Sequence, residues 1–356
     1  MTKIFLVRHA EAEGNIFRRA HGHYNGLVTV KGYKQIELLK DRFTGKQIDA
    51  VYSSDLIRTV ETAGAISKPR NMEIQKMQEL REVDMGAWED CPWGEIGYSD
   101  SEMNIHFNSD PAKWHISGGE NYADVGKRML DSLTQIAKEN DGKIVAVFSH
   151  GFAIRTLICL LKGVPSHETP TVPYCDNTAV TLFTYENDKF TIDYAGDNTH
   201  LDKKSSTLEQ QSWWRAEEIR KPENLRYMPL NDVAGESLVR IFKAKAGKRA
   251  QVNIQYAAYL NDEPVGIIGF DTHREENRKT GWLSYIHVIP HHREKSFGTQ
   301  LLGLAISDFR KLGREKIHIE LPTDIPGYNF MIRCGFEVLL TTHTSCTMEK
   351  DIRNWL

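Results

Sequence analysis

The sequence predicts an α/β protein of two domains, an N-terminal three-layer αβα domain and a C-terminal α+β domain. The chain has 356 residues, which is about twice the length of an ordinary domain. Its first half alternates short β-branched runs with helical patterns, as in a largely parallel sheet that carries helices on both faces. Its second half groups strands first and then continues with a strand, a helix and a further strand, which is typical of an α+β domain.

In the N-terminal domain, strands and helices are predicted from hydrophobic periodicity. The strands are expected at residues 3–7, 48–52 and 143–148. The helices are expected at residues 29–43, 55–66, 122–139 and 152–162. Ser54 is the expected N-cap of the second helix. A hairpin of residues 179–185 and 190–195 follows, and we place this domain at residues 1–202.

A polar segment, residues 203–224, is predicted to be a connector that contains a helix, with Trp213 and Trp214 packed between the domains. The C-terminal domain then covers residues 225–356. Its strands are expected at residues 225–230, 252–260, 264–271, 282–289, 316–321, 338–342 and 347–351. Its helices are expected at residues 232–245, 299–312 and 328–334.

Composition excludes several classes of protein. The net charge of −3 provides no basic field for nucleic acid or an anionic membrane. No run reaches the roughly 18 apolar residues of a membrane span, and the first residues lack the layout of a signal peptide. The five cysteines are scattered and form no CxxC, which argues against a disulfide framework or a zinc site. We therefore expect a cytoplasmic protein without a metal, and the sequence leaves open whether it forms a homodimer.

Three basic segments are expected to meet at one edge of the first sheet. Arg8 and His9 directly follow the first strand, and His150 follows the strand at residues 143–148. Arg58 lies in the helix after the second strand. Because ligands of α/β sheets bind beyond the carboxyl ends of the strands, and helix N-termini there add backbone donors, phosphate is the expected ligand.

These residue types suit phosphoryl transfer. A neutral imidazole can attack phosphorus and form a phosphohistidine, and neighbouring arginines keep it neutral by lowering its pKa. Cationic donors stabilise the oxygens of the transferred phosphoryl group. The leaving alkoxide needs a proton, which a carboxyl beside the phosphate dianion can supply.

Five motifs, in this order, resemble the histidine phosphatase superfamily, phosphoglycerate mutase-like branch. They are LVRHAEAEGN, GHYNGLVTVKG, VYSSDLIRTVETA, LREVDMGAWED and FSHG, followed by GDNTHL at residues 196–201. The resemblance covers about residues 1–202 and implies a phosphoglycerate mutase-like fold. It implies that His9 is the phosphorylated nucleophile, that Glu82 is the general acid, and that no cofactor is needed. It also implies that Arg8, Arg58 and His150 form the phosphate-binding pocket, with Asn15 as an additional contact.

Two positions depart from the family pattern. Ala10 stands where the family usually has glycine, and Asn25 stands where aspartate is common. Asn25 belongs to a loop that faces the substrate in relatives, so we expect it to bind substrate. His21 and His23 either contact the substrate phosphate or are ordinary loop histidines. An insertion at residues 91–119 is either a substrate lid or a surface excursion. As a lid it would offer the side chains of Trp93, His106, Trp114 and His115.

The compact size of this domain favours hydrolysis of a small phosphate ester, because mutases of the family carry extra segments that close the site. The alternative is a phosphoglycerate mutase-type phosphotransferase. The sequence does not identify the ester.

A second constellation follows the predicted strand at residues 282–289. A loop of successive backbone N–H groups that opens a helix is a cradle for pyrophosphate. The segment resembles the acyl-CoA loop of the GNAT family of N-acetyltransferases, and Gly335-Phe336 matches a weaker motif of that family. The resemblance covers about residues 225–352 and implies an acyl-CoA N-acyltransferase fold. It implies acetyl-CoA binding at Val288, Arg293, Glu294, Lys295, Ser296, Phe297, Gly298 and Thr299.

The C-terminal domain also departs from its family. Ser296 replaces the first glycine of the loop, which backbone binding tolerates if the serine is right-handed. Met331 stands where the family often has the tyrosine that protonates the thiolate, and Tyr328 is the candidate substitute. His318 and Glu320 are candidate bases whose direction the sequence does not fix. The expected activity is transfer of acetyl from acetyl-CoA to an unknown amine, and the alternative is a non-catalytic CoA-binding module that regulates the phosphatase.

Overall fold

The structure is a computed structural model, and it describes residues 1–213, 215, 223–230, 254–275, 278–322 and 327–354. Two sheets organise these residues, with six strands in the first sheet and seven in the second. The predicted helix at residues 232–245, and Trp214, lie outside the described residues.

The first sheet is mostly parallel, with strand order β3-β2-β4-β1-β5-β6. Its strands are β1 (Thr2–Arg8), β2 (Ala50–Ser53), β3 (Ile74–Lys76), β4 (Ile144–Ser149), β5 (Val180–Glu186) and β6 (Lys189–Asp197). Strands β1 to β4 run parallel, whereas β5 and β6 form the predicted hairpin and run antiparallel to their neighbours. Asn187 and Asp188 make its tight turn with positive φ.

Helices cover both faces of this sheet, which confirms the three-layer prediction. They are α1 (Glu13–Phe17), α2 (Val30–Phe43), α3 (Ile57–Arg70), α4 (Trp93–Ser99), α5 (Ser101–Ser109), α6 (Tyr122–Glu139) and α7 (Gly151–Lys162). Because side chains alternate along a strand, β1 sends Ile4 and Leu6 into a core with α6 and α7, and Val7 into a core with α2 and α3.

The predicted start of the second helix was wrong. The helix α3 begins at Ile57, with Leu56 as its N-cap residue. Ser54 accepts a hydrogen bond from the Leu56 amide over 3.3 Å instead of capping the helix. The short elements β3, α1, α4 and α5 were not predicted.

The second sheet has the order β12-β13-β11-β10-β9-β8-β7. Its strands are β7 (Arg226–Pro229), β8 (Ile254–Leu260), β9 (Glu263–Asp271), β10 (Thr280–Val288), β11 (Lys316–Pro322), β12 (Glu337–Thr341) and β13 (Ser345–Asp351). Two helices are described in this domain, α8 (Phe297–Lys311) and α9 (Gly327–Arg333). The helix α8 supplies much of the core, with Leu301, Ala305 and Phe309 fully buried against the sheet.

The two domains share a packed interface. Phe17 of α1 belongs to the hydrophobic core of the C-terminal domain. Its ring occupies the space beside Gly303 of α8, where an added Cβ would come within 2.4 Å of the Phe17 side chain. On the other side, the Tyr227 amide of β7 donates to Glu95 of α4 over 2.5 Å.

Among the described residues, none of the helices combines the length and the apolar character needed to cross a bilayer. All five cysteines are free thiols.

Candidate active sites

The carboxyl ends of three parallel strands bring the basic residues together, as the sequence predicts. Arg8 is the last residue of β1 and His9 follows it. His150 follows β4 as the N-cap residue of α7, and Arg58 lies in the first turn of α3. The rings of His9 and His150 are 5.3 Å apart between centroids.

A hydrogen bond to the backbone fixes the tautomer of the His9 imidazole. Its Nδ1 lies 2.7 Å from the Ala10 carbonyl oxygen; because a carbonyl only accepts, Nδ1 carries the proton and Nε2 the lone pair. Burial, together with the charges of Arg58 and Arg8, lowers the pKa of His9 well below its ordinary value. The ring is therefore neutral near pH 7. Ala10 is tolerated because it takes no left-handed conformation.

Arg58 is fully buried and is engaged by its neighbours. Its Nε donates to His150 Nδ1 over 3.2 Å, and its Nη1 donates to His21 Nε2 and to the Tyr24 carbonyl, each over 3.0 Å. Its Nη2 donates to the Gly22 and His21 carbonyls over 2.7 and 3.3 Å. Since a guanidinium has five N–H groups, a phosphoryl oxygen has to displace one of these acceptors to reach it.

Arg8 keeps a donor available. Its Nη1 donates to the Cys175 carbonyl over 2.5 Å, whereas its buried Nε has no hydrogen-bond partner. The Nε atom lies beside the start of α7, 3.1 Å from the position that a Cβ on Gly151 would take. A buried donor without an acceptor is costly, so an anion that accepts from this atom would be favoured.

His150 and His21 are both held neutral. Burial and the charge of Arg58 lower the pKa of each well below its ordinary value. His150 accepts from Arg58 at Nδ1, so its Nε2 carries the proton and donates to Ser54 Oγ over 2.9 Å. The charges that attract phosphate are therefore those of Arg8 and Arg58.

Glu82 lies at the N-terminus of α7. Its carboxylate oxygens accept from the backbone amides of Phe152 and Ala153, over 3.0 and 2.8 Å, and from Val83 over 3.1 Å. The positive end of the helix dipole favours a carboxylate here. Glu82 is thus fixed next to the helix that His150 caps.

The other predicted substrate residues have different surroundings. The side-chain oxygen of Asn15 accepts from the Ala12 amide over 2.9 Å. Asn25 accepts from the Ile57 amide over 3.0 Å, which places it at the N-terminus of α3. His23 lies 3.4 Å from Asp84 and 3.0 Å from the Glu82 carbonyl.

Several contributors were missed from the sequence. Asn177 Nδ2 donates to the His9 carbonyl over 2.9 Å, and Thr62 Oγ1 accepts from the Ala10 amide over 2.9 Å. Arg128 donates to the Glu82 carbonyl over 2.9 Å. Asn177 and Arg128 come from segments without a recognisable motif, so sequence spacing contained no signal for them. Thr62 lies within the quoted motif VYSSDLIRTVETA, four residues after Arg58, and could have been found there.

The insertion at residues 91–119 is built into the fold. Trp114 is only 1% exposed and packs on Trp88 and Phe107, so it cannot contact a substrate. Phe107 stacks on Phe152 with centroids 5.0 Å apart. His115 is exposed. The insertion therefore contributes an aromatic layer behind the segment that binds Glu82.

The predicted CoA loop connects β10 to α8. Arg293 and Lys295 are exposed, whereas Phe297 is buried in the core. Ser296 is left-handed, with φ 63° and ψ 8°, so the right-handed serine required by the sequence argument is not found. Glu294 is also left-handed, with φ 63°. A left-handed conformation costs a residue other than glycine roughly 1–2 kcal/mol.

A gap opens between β10 and β11 beside this loop. The two strands pair from Thr280 with Lys316 to Leu283 with Ile319, and the remainder of β10 has no pairing with β11.

A cavity of about 470 Å³ lies on the paired part of these strands. The cavity lies on the face of the sheet opposite α8. Gly281, the neighbour of Trp282 on β10, packs against Phe309 of α8. Because side chains alternate along a strand, Trp282 and the cavity that it lines are on the other face. His318 Nε2 lies 2.7 Å from Glu349 and its Nδ1 lies 3.6 Å from Glu275. The Arg274 guanidinium stacks on Trp282 at 3.4 Å.

The other candidates for acetyl transfer are also placed. Met331 is 1% exposed in the core, so it neither donates a proton nor faces a ligand. Tyr328 is partly buried against the same core. Glu320 is exposed and accepts from Ser345 Oγ over 2.9 Å, which leaves His318 as the histidine that faces a cavity.

In the described part of the chain, one group has the spacing of metal ligands, namely Glu263, His291 and His292. The carboxylate of Glu263 accepts from His292 over 2.8 Å, and a histidine–carboxylate hydrogen bond accounts for this contact without an ion.

Comparison with known families identifies both halves. Residues 4–198 match the histidine phosphatase superfamily (branch 1). Residues 213–336 match the acetyltransferase (GNAT) family. The two matches lie in one chain and follow the order of the two sheets.

Individual relatives resemble the N-terminal half. Phosphoserine phosphatase 1 of Hydrogenobacter thermophilus is 34% identical over 164 residues, which are 46% of this chain and 78% of the relative. A probable phosphoglycerate mutase GpmB of Yersinia enterocolitica is 28% identical over 57% of this chain and 96% of the relative. The solved structure of Bacillus stearothermophilus YhfR superposes with a TM-score of 0.55 and 29% identity, over 57% of this chain and all of that one. The chain belongs to the histidine phosphatase superfamily, branch 1, and carries a GNAT acetyltransferase domain after the phosphatase domain.

Proposed function

We propose that the N-terminal domain hydrolyses a small phosphomonoester through a phosphohistidine. The observation that carries this proposal is His9, a buried neutral imidazole whose Nε2 is unprotonated between two arginines. In the first step Nε2 attacks phosphorus, the P–O bond to the alcohol breaks, and the protonated carboxyl of Glu82 gives its proton to the leaving alkoxide. In the second step water attacks the phosphorus of the phosphohistidine, Glu82 takes a proton from that water, the bond between Nε2 and phosphorus breaks, and inorganic phosphate leaves.

The surroundings support these roles. Arg8 and Arg58 provide the positive charge that the phosphoryl oxygens require as negative charge develops. A phosphate dianion beside the Glu82 carboxyl favours its protonated form, and the backbone amides of α7 hold the carboxylate once the proton has left.

The test compares His9→Ala with the wild type on phosphoserine and 3-phosphoglycerate. We expect loss of roughly 10³-fold or more in kcat, because the nucleophile is removed, and an acid-labile phosphoenzyme in the wild type only. His115→Ala is the matched control, since it removes an exposed histidine outside the site. Full hydrolysis by His9→Ala would disprove the nucleophile, and isomerisation of phosphoglycerate faster than its hydrolysis would establish the mutase alternative.

The C-terminal domain provides a second activity, transfer of acetyl from acetyl-CoA to an amine, so the chain is bifunctional. The loop before α8 holds the pyrophosphate, and the separation of β10 from β11 admits the thioester arm. The cavity beside it takes the amine, and His318, oriented by Glu349, accepts the ammonium proton. The amine then attacks the thioester carbon, a C–N bond forms and the C–S bond breaks. Tyr328 protonates the thiolate that leaves, and the proton that the nitrogen loses returns to the Tyr328 phenolate.

Turnover of acetyl-CoA against a panel of amines tests this activity. We expect His318→Gln to lower kcat about 10²-fold, the usual contribution of a general base, without a change in the Kd for CoA. Tight CoA binding without turnover in the wild type would support the non-catalytic regulatory module instead.

A further inference from the structure

Arg310, in the last turn of α8, reaches from the C-terminal domain into the phosphatase domain. Its Nη1 donates to Glu13 Oε2 over 2.7 Å and to the Tyr24 hydroxyl over 2.5 Å. The side chains of Arg310 and Glu13 are only 7% and 4% exposed. This is a buried ion pair between the domains, formed at the back of the phosphatase site.

The two partners of Arg310 hold the loop of residues 21–27. Tyr24 lies in this loop, and its carbonyl accepts from Arg58 over 3.0 Å. Glu13 binds the far end of the loop, because its amide donates to the Leu27 carbonyl over 2.9 Å and its Oε2 accepts from the Leu27 amide over 3.1 Å. Arg310 therefore contacts both the middle of the loop and the residue that anchors its end.

The same loop positions Arg58. The His21 ring, the His21 carbonyl, the Gly22 carbonyl and the Tyr24 carbonyl together accept four of the hydrogen bonds of Arg58. A displaced loop would leave this buried guanidinium with His150 as its remaining acceptor, and it would be free to rotate away from His9. The position of the Arg58 guanidinium is important for the reaction rate, since a misplacement of about 1 Å can lower the rate 10²-fold.

We infer that Arg310 is a positioning residue of the phosphatase, supplied by the acetyltransferase domain. It neutralises Glu13 and orients Tyr24, and so fixes the acceptors that hold Arg58 beside His9. The inference rests on the proposed phosphatase function, and it adds a contribution of one domain to the active site of the other.

Four variants test the inference in the full-length protein. Arg310→Gln removes the charge and leaves the buried Glu13 carboxylate without a counter-charge, which is strongly unfavourable; Arg310→Lys keeps the charge without the planar fork. Tyr24→Phe removes only the hydroxyl contact. Ser307→Ala is the matched control, because Ser307 also crosses the interface from α8, to Asp90 and Arg19, but does not touch the loop.

The readouts are kcat and KM for phosphoserine, the Kd for inorganic phosphate and the Kd for CoA. For Arg310→Gln we expect a 10- to 100-fold loss of kcat, a smaller rise in KM, weaker phosphate binding and unchanged CoA binding. Arg310→Lys should restore part of kcat, Tyr24→Phe should lose about 3- to 10-fold, and Ser307→Ala should stay within twofold of the wild type.

Wild-type kcat in both Arg310→Gln and Tyr24→Phe would overturn the inference. Loss of CoA binding in Arg310→Gln would indicate a misfolded α8, and Tyr24→Phe, which buries no unpaired charge, then decides: wild-type kcat overturns the inference and reduced kcat supports it. If the wild type has no phosphatase activity, the proposed function fails, whereas the effect of the variants on phosphate affinity still reports on the loop.

Discussion

At the residue scale, three histidines of the phosphatase site share one electrostatic environment. His9 and His150 are buried near Arg58 and His21 is partly buried there, and burial together with that charge lowers the pKa of each ring well below its ordinary value. The folded protein therefore keeps three imidazoles neutral at a pH where exposed histidines are charged. The same neutrality that the proposed nucleophilic role of His9 requires makes the site sensitive to acid.

The free energy of unfolding is predicted to fall as the pH drops below 6.5. In the unfolded chain these histidines titrate near pH 6.5, so the unfolded state takes up protons that the folded state does not bind. Stability is fully present above pH 6.5 and is lost below it, by up to about 1.4 kcal/mol per pH unit for each histidine. Urea unfolding at pH 7.5, 6.0 and 5.0 measures this slope.

His21→Gln should make the slope shallower, because it removes one of the three groups, whereas His115→Ala should leave it unchanged. Equal slopes in His21→Gln and the wild type would show that His21 is protonated in the folded state.

At the element scale, the turn before α8 places two residues other than glycine in the left-handed conformation. Ser296 and Glu294 both have φ 63°, in the region where glycine alone is free of a steric penalty. Lys295, between them, does not have a positive φ. The effect of a substitution by glycine can therefore be compared between left-handed positions and a neighbouring position that is not left-handed, within one turn.

Ser296→Gly is predicted to stabilise the C-terminal domain by about 0.5–1 kcal/mol. Relief of the left-handed strain exceeds the extra entropy that glycine loses on folding. Lys295→Gly is the control and should destabilise the domain, since only the entropic cost applies there. Denaturant unfolding of the full chain measures both. A lower midpoint for Ser296→Gly than for the wild type would contradict the expected relief of strain.

At the scale of the whole molecule, the interface depends on a close approach of α1 and α8. Phe17 is 5% exposed, and its ring fills the place where any side chain at position 303 would be. Arg19, Asp90 and Ser307 form a second buried polar contact across the same interface. Apolar packing and buried charged groups therefore both stabilise the interface between the two domains.

Gly303→Ala is predicted to destabilise the protein by about 1–3 kcal/mol, the usual cost of overpacking. In a double-mutant cycle, Phe17→Ala should remove most of the added cost, because it deletes the ring that the new methyl group meets. Gly97→Ala in α4 is the control, since its nearest neighbour atom would lie 3.6 Å away, and it should be neutral or stabilising. Additive effects of Gly303→Ala and Phe17→Ala would show that the two positions do not compete.

The sequence predicts best what depends on neighbouring residues. Arg8 and His9 follow β1, and His150 follows β4, so the parallel pattern is sufficient to bring them together. Prediction from the sequence fails for residues that lie far from the site along the chain. Asn177 and Arg310 approach the site through tertiary contacts that no local pattern encodes. The handedness of Ser296 also escaped prediction, because it is imposed by the turn rather than by the propensity of serine.

The insertion of Phe17 into the neighbouring core limits how this chain can be divided or recombined. A phosphatase domain expressed alone would present Phe17 and the carboxylate of Glu13 to water, and an acetyltransferase domain expressed alone would have an unfilled notch at Gly303. Exchange of either half for a homologue that evolved as a separate protein would create the same mismatch. Either domain can therefore be exchanged for a homologue only when α1 and α8 are redesigned together.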